Sequence, residues 1–410
     1  MGGGSSKAKR SKAKMDAVQA LGGGETGADE LSVAEMAQRS RATKGAIKPL
    51  VPAELDGGGF GAETPDLPKT FSESLRESPP DDDFLPSDDL LADLSRGGAG
   101  GGGTPKGFGQ RSSTWEAAPV QASPARPVGG DDGAFCAGEA TDIGGRKENQ
   151  DTSFGISLLG GKVWVGAVFD GHGSEGKAAA EYARDRVQSV MQQRAAQLVQ
   201  RPEDVLRDAF AGAHSGMAMA ADCTYSGTTA TCCILSKERI VTGWVGDSRA
   251  VIGRRNGKAT LALTDDHRPE LLEEAQRIAS AGGLIRRANG NGPMRVYGGA
   301  GGAVGLMLTR SLGDMEMHEY GVSAEPQIAT HQLRSGKDEL LLLGSDGVFD
   351  AMNNEEALKL AGGAAEKEKG GGSAGAMAGA GAVVGQAAAW WRRNPGSDNI
   401  TAIVVTPLRQ

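Results

Sequence analysis

Apolar runs of strand length and long amphipathic stretches are concentrated in the last two thirds of the chain. Residues 162–169 form a strand-like run, Lys-Val-Trp-Val-Gly-Ala-Val-Phe, that stops at Asp170. Residues 177–199, rich in Ala and Arg, and residues 203–220 carry helical character. Short apolar runs separated by turns follow at 228–235, 239–245, 250–253 and 259–263. A helical stretch at 270–281 precedes a Gly- and Asn-rich loop, about 282–304, and further buried-looking strands fall at 339–343 and 400–405. Strands grouped as hairpins, with helices in separate blocks, predict an α+β fold with sheet packed on sheet. Residues 362–381 are of low complexity and read as an insertion that forms a mobile loop within the domain.

Upstream of residue 131 there is little to fold. Glycine tracts at 22–24, 57–59 and 97–103, with Pro, Ser and Asp between them, predict a mostly disordered tail over 1–130 and one folded domain over 131–410. The composition agrees, since 64 of 410 residues are Gly and only 4% are aromatic, which leaves material for one ordinary core. Two tail patches, 29–38 and the acidic-apolar 81–91, read either as solvated chain or as helices formed on a partner. The net charge of −8 gives no electrostatic case for nucleic acid. Cys136, Cys223, Cys232 and Cys233 show neither metal-ligand spacing nor a pairing framework. With no membrane span and no cleavable secretory signal, an intracellular protein is expected.

Candidate chemistry lies where an Asp followed by a small or polar residue stands at the end of an apolar strand or in a nearby turn. The segments are Phe169-Asp170-Gly171-His172-Gly173, Ser345-Asp346-Gly347 and Ser397-Asp398-Asn399, with Asp151 as a further acidic position. Carboxylates at strand ends supply the hard oxygen ligands that Mg²⁺ or Mn²⁺ takes, with room for waters. Two such ions bridged by a carboxylate can activate a water and neutralise phosphoryl charge. A Gly after the first Asp leaves its carbonyl open to close approach. A single Asp-Gly pair is an ordinary turn signal; the order of all of them together is specific.

That order resembles the type 2C, metal-dependent protein serine/threonine phosphatases over roughly residues 134–407. The matching segments also include Arg146 to Asp151, Ser226-Gly227-Thr228-Thr229-Ala230, Gly246-Asp247-Ser248-Arg249, Asp265-Asp266-His267-Arg268-Pro269, Thr309-Arg310-Ser311-Leu312-Gly313-Asp314 and Ser345 to Asp350. The resemblance implies a β-sandwich of two mainly antiparallel sheets flanked by helices, in α-β-β-α layers, with two Mg²⁺ or Mn²⁺ ions in a cleft. It makes Asp170 the bridging ligand, the Gly171 carbonyl and Asp151 ligands on the second-metal side, and Asp346 and Asp398 ligands of the first. Asp266 and Asp350, with Asp346, match positions holding a third, weaker ion in some members. Arg146 matches the phosphate-binding Arg and His172 the acid that protonates the departing oxygen. Many animal members carry Glu where this chain has Gln150, which removes a charge from the second site. Gly246 to Arg249 and Arg310 to Asp314 are expected to be scaffold, and His267 to support the Asp266 turn. His214, His318 and His331 are given only surface or packing roles. Segment 282–304 corresponds to the variable flap; its Arg286, Arg287 and Arg295 read as solvated, with contact to acidic substrate residues as the alternative.

The implied activity is hydrolysis of phosphoserine and phosphothreonine in proteins by a monomeric catalytic domain. Rival readings are a silent phosphoprotein-binding scaffold and a phosphatase of the same fold acting on a small molecule. Met1-Gly2-Gly3-Gly4-Ser5-Ser6 satisfies the N-myristoylation pattern. Lys7, Lys9, Arg10, Lys12 and Lys14 supply the second, basic signal that one acyl chain needs for membrane binding. The expected location is cytoplasmic or peripheral at a membrane; a basic start acting in nuclear import is the alternative.

Overall fold

The structure, a computed structural model, describes residues 123–129, 134–288, 292–298, 302, 304–334 and 337–407. The acylation pattern, the basic cluster and both tail patches lie outside the described residues.

The chain runs β1 (Ser123–Pro127), β2 (Phe135–Asp142), β3 (Asp151–Leu158), β4 (Val163–His172), α1 (Gly176–Gln193) and α2 (Pro202–Ala220). Then come β5 (Gly227–Thr228), β6 (Ala230–Leu235), β7 (Arg239–Val245), β8 (Arg249–Gly253), β9 (Leu261–Ala262) and α3 (Leu272–Ser280). Next are β10 (Leu284–Arg287), β11 (Met294–Tyr297), β12 (Gly305–Leu306), β13 (Leu312–Gly313), α4 (Met315–His318) and β14 (Gln327–Gln332). The last are β15 (Leu340–Gly344), α5 (Asp346–Phe349), α6 (Asn354–Lys367), α7 (Gly372–Trp391) and β16 (Ile400–Pro407). One sheet has the order β1-β2-β16-β15-β8-β9; the other has β13-β5-β4-β6-β7-β14, with β3 paired to β4. The pairings between these strands are antiparallel.

Alternation along the strands builds the layers. On β4, Val165, Ala167 and Phe169 pack against Ala180, Val187, Leu206 and Phe210 of α1 and α2. Its Trp164 and Val168 turn the other way and meet Leu341, Leu343, Ile403 and Val405 of the opposite sheet. Cys232 and Cys233 divide between the same two clusters, which is why neighbouring thiols on β6 never face one another. On the far side, Leu340, Leu342, Ala402 and Val404 are covered by Leu358, Ala361, Ala380 and Val384 of α6 and α7. The expected α-β-β-α sandwich is therefore present, and burial on both faces accounts for the unbroken apolar runs.

Three expectations are corrected. The sheet takes in β1, so among the described residues folded structure reaches upstream of 131, to Ser123. The stretch 362–381 is not a mobile loop; it spans the end of α6 and much of α7. Helix α6 opens on a capping box, in which the Glu356 N–H donates to Asn353 Oδ1 and the Asn353 N–H donates to Glu356 Oε2. The two helices and β2 meet through small residues. A Cβ at Gly379 would stand 2.9 Å from the Ala361 carbonyl oxygen, and one at Gly138 would stand 2.3 Å from Met377 N. Each helical Gly costs about 1 kcal/mol against Ala; the close backbone seam that only Gly permits offsets that cost. Finally, the flap is not wholly loop. Strands β10, β11 and β12 form a small antiparallel sheet, and its Ile285, Met294 and Val296 pack on Ala275 and Ile278 of α3.

Candidate active site

The register of β3 on β4 sets Asp151 directly opposite Asp170. Strands β15 and β16 of the other sheet bring up the remaining pair, Asp346 as the first residue of α5 and Asp398 two residues before β16. Ser345 joins the two halves: its Oγ donates to Asp151 Oδ2 at 2.8 Å and accepts from the Thr401 N–H at 3.0 Å. Asn399 fixes the loop before β3, accepting from Gln150 N at 2.9 Å and donating to the Ile143 and Glu148 carbonyls at 3.0 Å each. A cleft of about 540 Å³ opens here, lined among others by Arg146, Asp170, His172, Asp247, Asp346 and Asp398. Asp151 is buried beside it.

These carboxyls share one environment. Burial raises the Asp170 pKa well above the usual range, and the charges of Asp151, Asp346, Asp398 and Asp247 push it further. Burial likewise lifts Asp151 to about 6, despite hydrogen bonds from Ser345 and Thr401, and lifts Asp346 well up. Asp151 Oδ1 and Asp346 Oδ1 are buried with no hydrogen-bond partner. Unpaired buried carboxylate oxygens are costly unless a cation meets them. Among the described residues, no three His, Cys, Asp or Glu groups close into a coordination set by themselves. A divalent ion that takes one or two carboxylates and fills its other positions with water fits that spacing; such coordination is typical of Mg²⁺.

Gly171 is also required for space. A Cβ there would stand 2.2 Å from the Gly176 carbonyl oxygen and 2.8 Å from that of Gln150. Gln150 donates from Nε2 to the Gly173 carbonyl at 3.0 Å, so its amide braces the Asp170-to-Gly173 turn. Arg146 reaches the cleft, where its Nη2 donates to Asp398 Oδ1 at 2.8 Å while the side chain stays half exposed. His172 Nε2 lies 2.7 Å from Asp314 Oδ2, which also accepts from Ser311 Oγ. Burial lowers the His172 pKa, but the Asp314 charge and hydrogen bond outweigh it, and the net direction is upward.

Two residues expected to be scaffold thus belong to the site. Asp314 follows β13, which reaches His172 through β5, and no local signal in the sequence marks it. Gly313 before it is gripped on both sides: its N–H donates to His214 Nδ1 at 3.3 Å, and its carbonyl accepts from His318 Nε2 at 2.9 Å. Asp247 is buried, lines the cleft and is lifted to about 6 by burial, against the pull of Arg268. Of the expected outer ligands, Asp266 is engaged by Arg249, whose Nε and Nη2 donate to its two oxygens at 3.0 and 2.7 Å. Asp350 stands exposed, 3.6 Å from Arg268. His267 does support its turn. It is fully buried, its N–H donates to the Gly246 carbonyl at 3.0 Å, and its Nδ1 accepts from the Gly246 N–H at 3.1 Å. In the flap, Arg295 lines the cleft and donates to the Gly305 carbonyl, while Arg286 stacks over Tyr297 at 4.6 Å.

Comparison with known proteins places the chain. The family model described as Protein phosphatase 2C matches residues 150–378. Protein phosphatase 1L of Bos taurus is 32% identical over 230 residues, covering 53% of this chain and 61% of that protein. Probable protein phosphatase 2C 61 of Arabidopsis thaliana is 34% identical over 230 residues, covering 52% and 68% respectively. The chain spans less than two thirds of the length of several curated relatives it matches. Among solved structures, the serine-threonine phosphatase 2C from Toxoplasma gondii shares the fold, with a TM-score of 0.58 at 24% identity, covering 69% of this chain and 99% of that one.

Proposed function

Because the chain belongs to the protein phosphatase 2C family, we propose that it hydrolyses phosphoserine and phosphothreonine in proteins with a water activated between two divalent ions. The observation that carries this reading is the pair of buried, unpartnered oxygens on Asp151 and Asp346, contributed by different sheets to one desolvated cluster. In this reading Asp151, Asp170, the Gly171 carbonyl, Asp346 and Asp398 hold Mg²⁺ or Mn²⁺, which when bound polarises water and neutralises phosphoryl oxygens.

The chain's own groups do the rest. Arg146, half exposed and hinged on Asp398, turns its planar guanidinium to two phosphate oxygens. Asp314 occupies His172 Nε2, so the proton delivered to the departing Ser or Thr oxygen is carried at Nδ1. By favouring the charged imidazole, Asp314 keeps that acid loaded toward higher pH. The cleft walls beyond Arg146, which include Arg295 and residues 306–308, meet the polypeptide on either side of the phosphate.

The test is hydrolysis of a generic phosphate ester and of phosphopeptides with Mn²⁺, with EDTA, and by Asp170→Asn. Activity that survives EDTA or the substitution overturns the mechanism. Normal Mn²⁺ binding without hydrolysis of any phosphopeptide favours the silent scaffold, and activity confined to small phosphorylated molecules favours the other rival. For the N-terminus we propose acylation at Gly2 assisted by the cluster from Lys7 to Lys14. Gly2→Ala should then move the protein from membrane to soluble fractions, and unchanged fractionation would refute it.

A further inference from the structure

Beside the cleft the outer carboxylates already have a cation. Arg268 lies on Asp247, with Nε and Nη2 each 3.0 Å from Oδ2. The same guanidinium is 3.6 Å from Asp350 Oδ1, 3.9 Å from Asp346 Oδ2 and 3.9 Å from Asp266 Oδ2. Its place is set by the backbone. The turn from Asp266 to Arg268 is pinned to the Gly246-Asp247 turn by the two His267–Gly246 hydrogen bonds, and Arg268 N donates to the Asp266 carbonyl at 2.9 Å. His267 is itself locked between those bonds, Gln327 and the face of Trp244. Asp266, the other expected outer ligand, has both oxygens committed to Arg249. A third divalent ion at Asp346 and Asp350 would have to sit against the Arg268 charge, and no free carboxylate of Asp266 would meet it.

We infer that Arg268 is a tethered counter-cation for Asp247 and Asp350, so that the chain loads two divalent ions and excludes a third. This rests on the two-ion reading above. It differs from the expectation that Asp266, Asp350 and Asp346 form a third metal site, because Asp266 and Asp350 already face cations of the protein itself, Arg249 and Arg268. Burial alone would weaken the guanidinium's hold on its proton, but the surrounding carboxylates reverse that, so the counter-charge is permanent at any working pH. A permanent positive group also keeps Asp247 and Asp346 from repelling the phosphate as strongly as two bare carboxylates would.

The experiment is a Mn²⁺ count on the full chain, reading free aquo-Mn²⁺ by electron paramagnetic resonance as the ion is titrated to millimolar concentration. The unaltered chain is expected to bind two ions and Arg268→Lys also two. Arg268→Ala should bind three, returning to two when Asp247→Asn is added. Circular dichroism checks that each variant is folded. Three ions on the unaltered chain would overturn the inference and leave the two-ion reading standing; that count decides the matter even if Arg268→Ala fails to fold. A folded Arg268→Ala that still binds two would also overturn it. No bound Mn²⁺ at all would overturn the two-ion reading, and the inference with it.

Discussion

Glu274 on α3 is almost fully buried and holds together the region behind the flap. Arg277 donates to both of its oxygens at 2.9 and 2.6 Å, Arg310 Nη2 at 2.7 Å and Thr309 Oγ1 at 2.7 Å. Burial raises its pKa, but these donors outweigh burial and hold it at about 2, against an ordinary 4.5. At about 1.4 kcal/mol per pH unit, that depression corresponds to ~3 kcal/mol of folding stability. Because the folded-state value is lowered, the contribution is fully present above pH 4.5 and is lost as pH falls from there to about 2. Glu274→Gln keeps the shape but removes the charge, leaving two guanidinium groups without their counterion; breaking a buried pair in this way costs roughly 3–5 kcal/mol. Urea unfolding of both proteins across that pH range should show a gap of ~3 kcal/mol at neutral pH that closes in acid. Taking the difference between the proteins cancels the active-site carboxylates, whose raised values act in the opposite direction. A gap that stays constant as the pH drops would refute the assignment.

Asp314→Asn removes the charge that raises the His172 pKa, so the alkaline limb of the kcat–pH profile should move to lower pH; an unmoved limb would break the His172–Asp314 pairing as a working unit. Gly379→Ala should destabilise by about 1–3 kcal/mol, since its methyl meets the Ala361 carbonyl oxygen. Gly385→Ala, on the same helix with nothing within 4 Å, should instead stabilise by about 0.5–1 kcal/mol, and thermal unfolding of the two reads both signs. Trp391 donates from its indole to the Gly347 carbonyl at 2.8 Å, bracing the residue next to Asp346. Trp391→Phe should therefore weaken Mn²⁺ binding by about tenfold while costing only about 1 kcal/mol in stability, as titration and unfolding would show.

What could be read from the sequence was whatever a local pattern reports. Asp170 and Asp346 stand where apolar runs end and Asp398 in the turn before one, and those runs are the central strands, buried on both faces. Strands β2 and β3 were missed because they mix Gly, Ser, Thr and charge with few large apolar groups; on β2, Glu139 is buried only because Arg126 and Ser153 meet it. The first half of helix α7 reads as loop because its glycines weaken the intrinsic helix signal, and their use is visible only once α6 lies alongside. Asp247, Asp314 and the Arg249–Asp266 pair depend on which turn faces which across two sheets. Spacing along the chain carries no information about that.

The bond from Ser345 to Asp151 spans 194 residues and that from Arg146 to Asp398 spans 252. Contacts of such sequence separation close late in folding, after the loop entropy between them has been overcome. The carboxylate cluster therefore completes itself only at the final docking of sheet on sheet, and it is among the first things to come apart when that docking loosens. Hydrolysis should fail at lower denaturant than helical circular dichroism does, which makes turnover a sensitive gauge of whether this sandwich is shut.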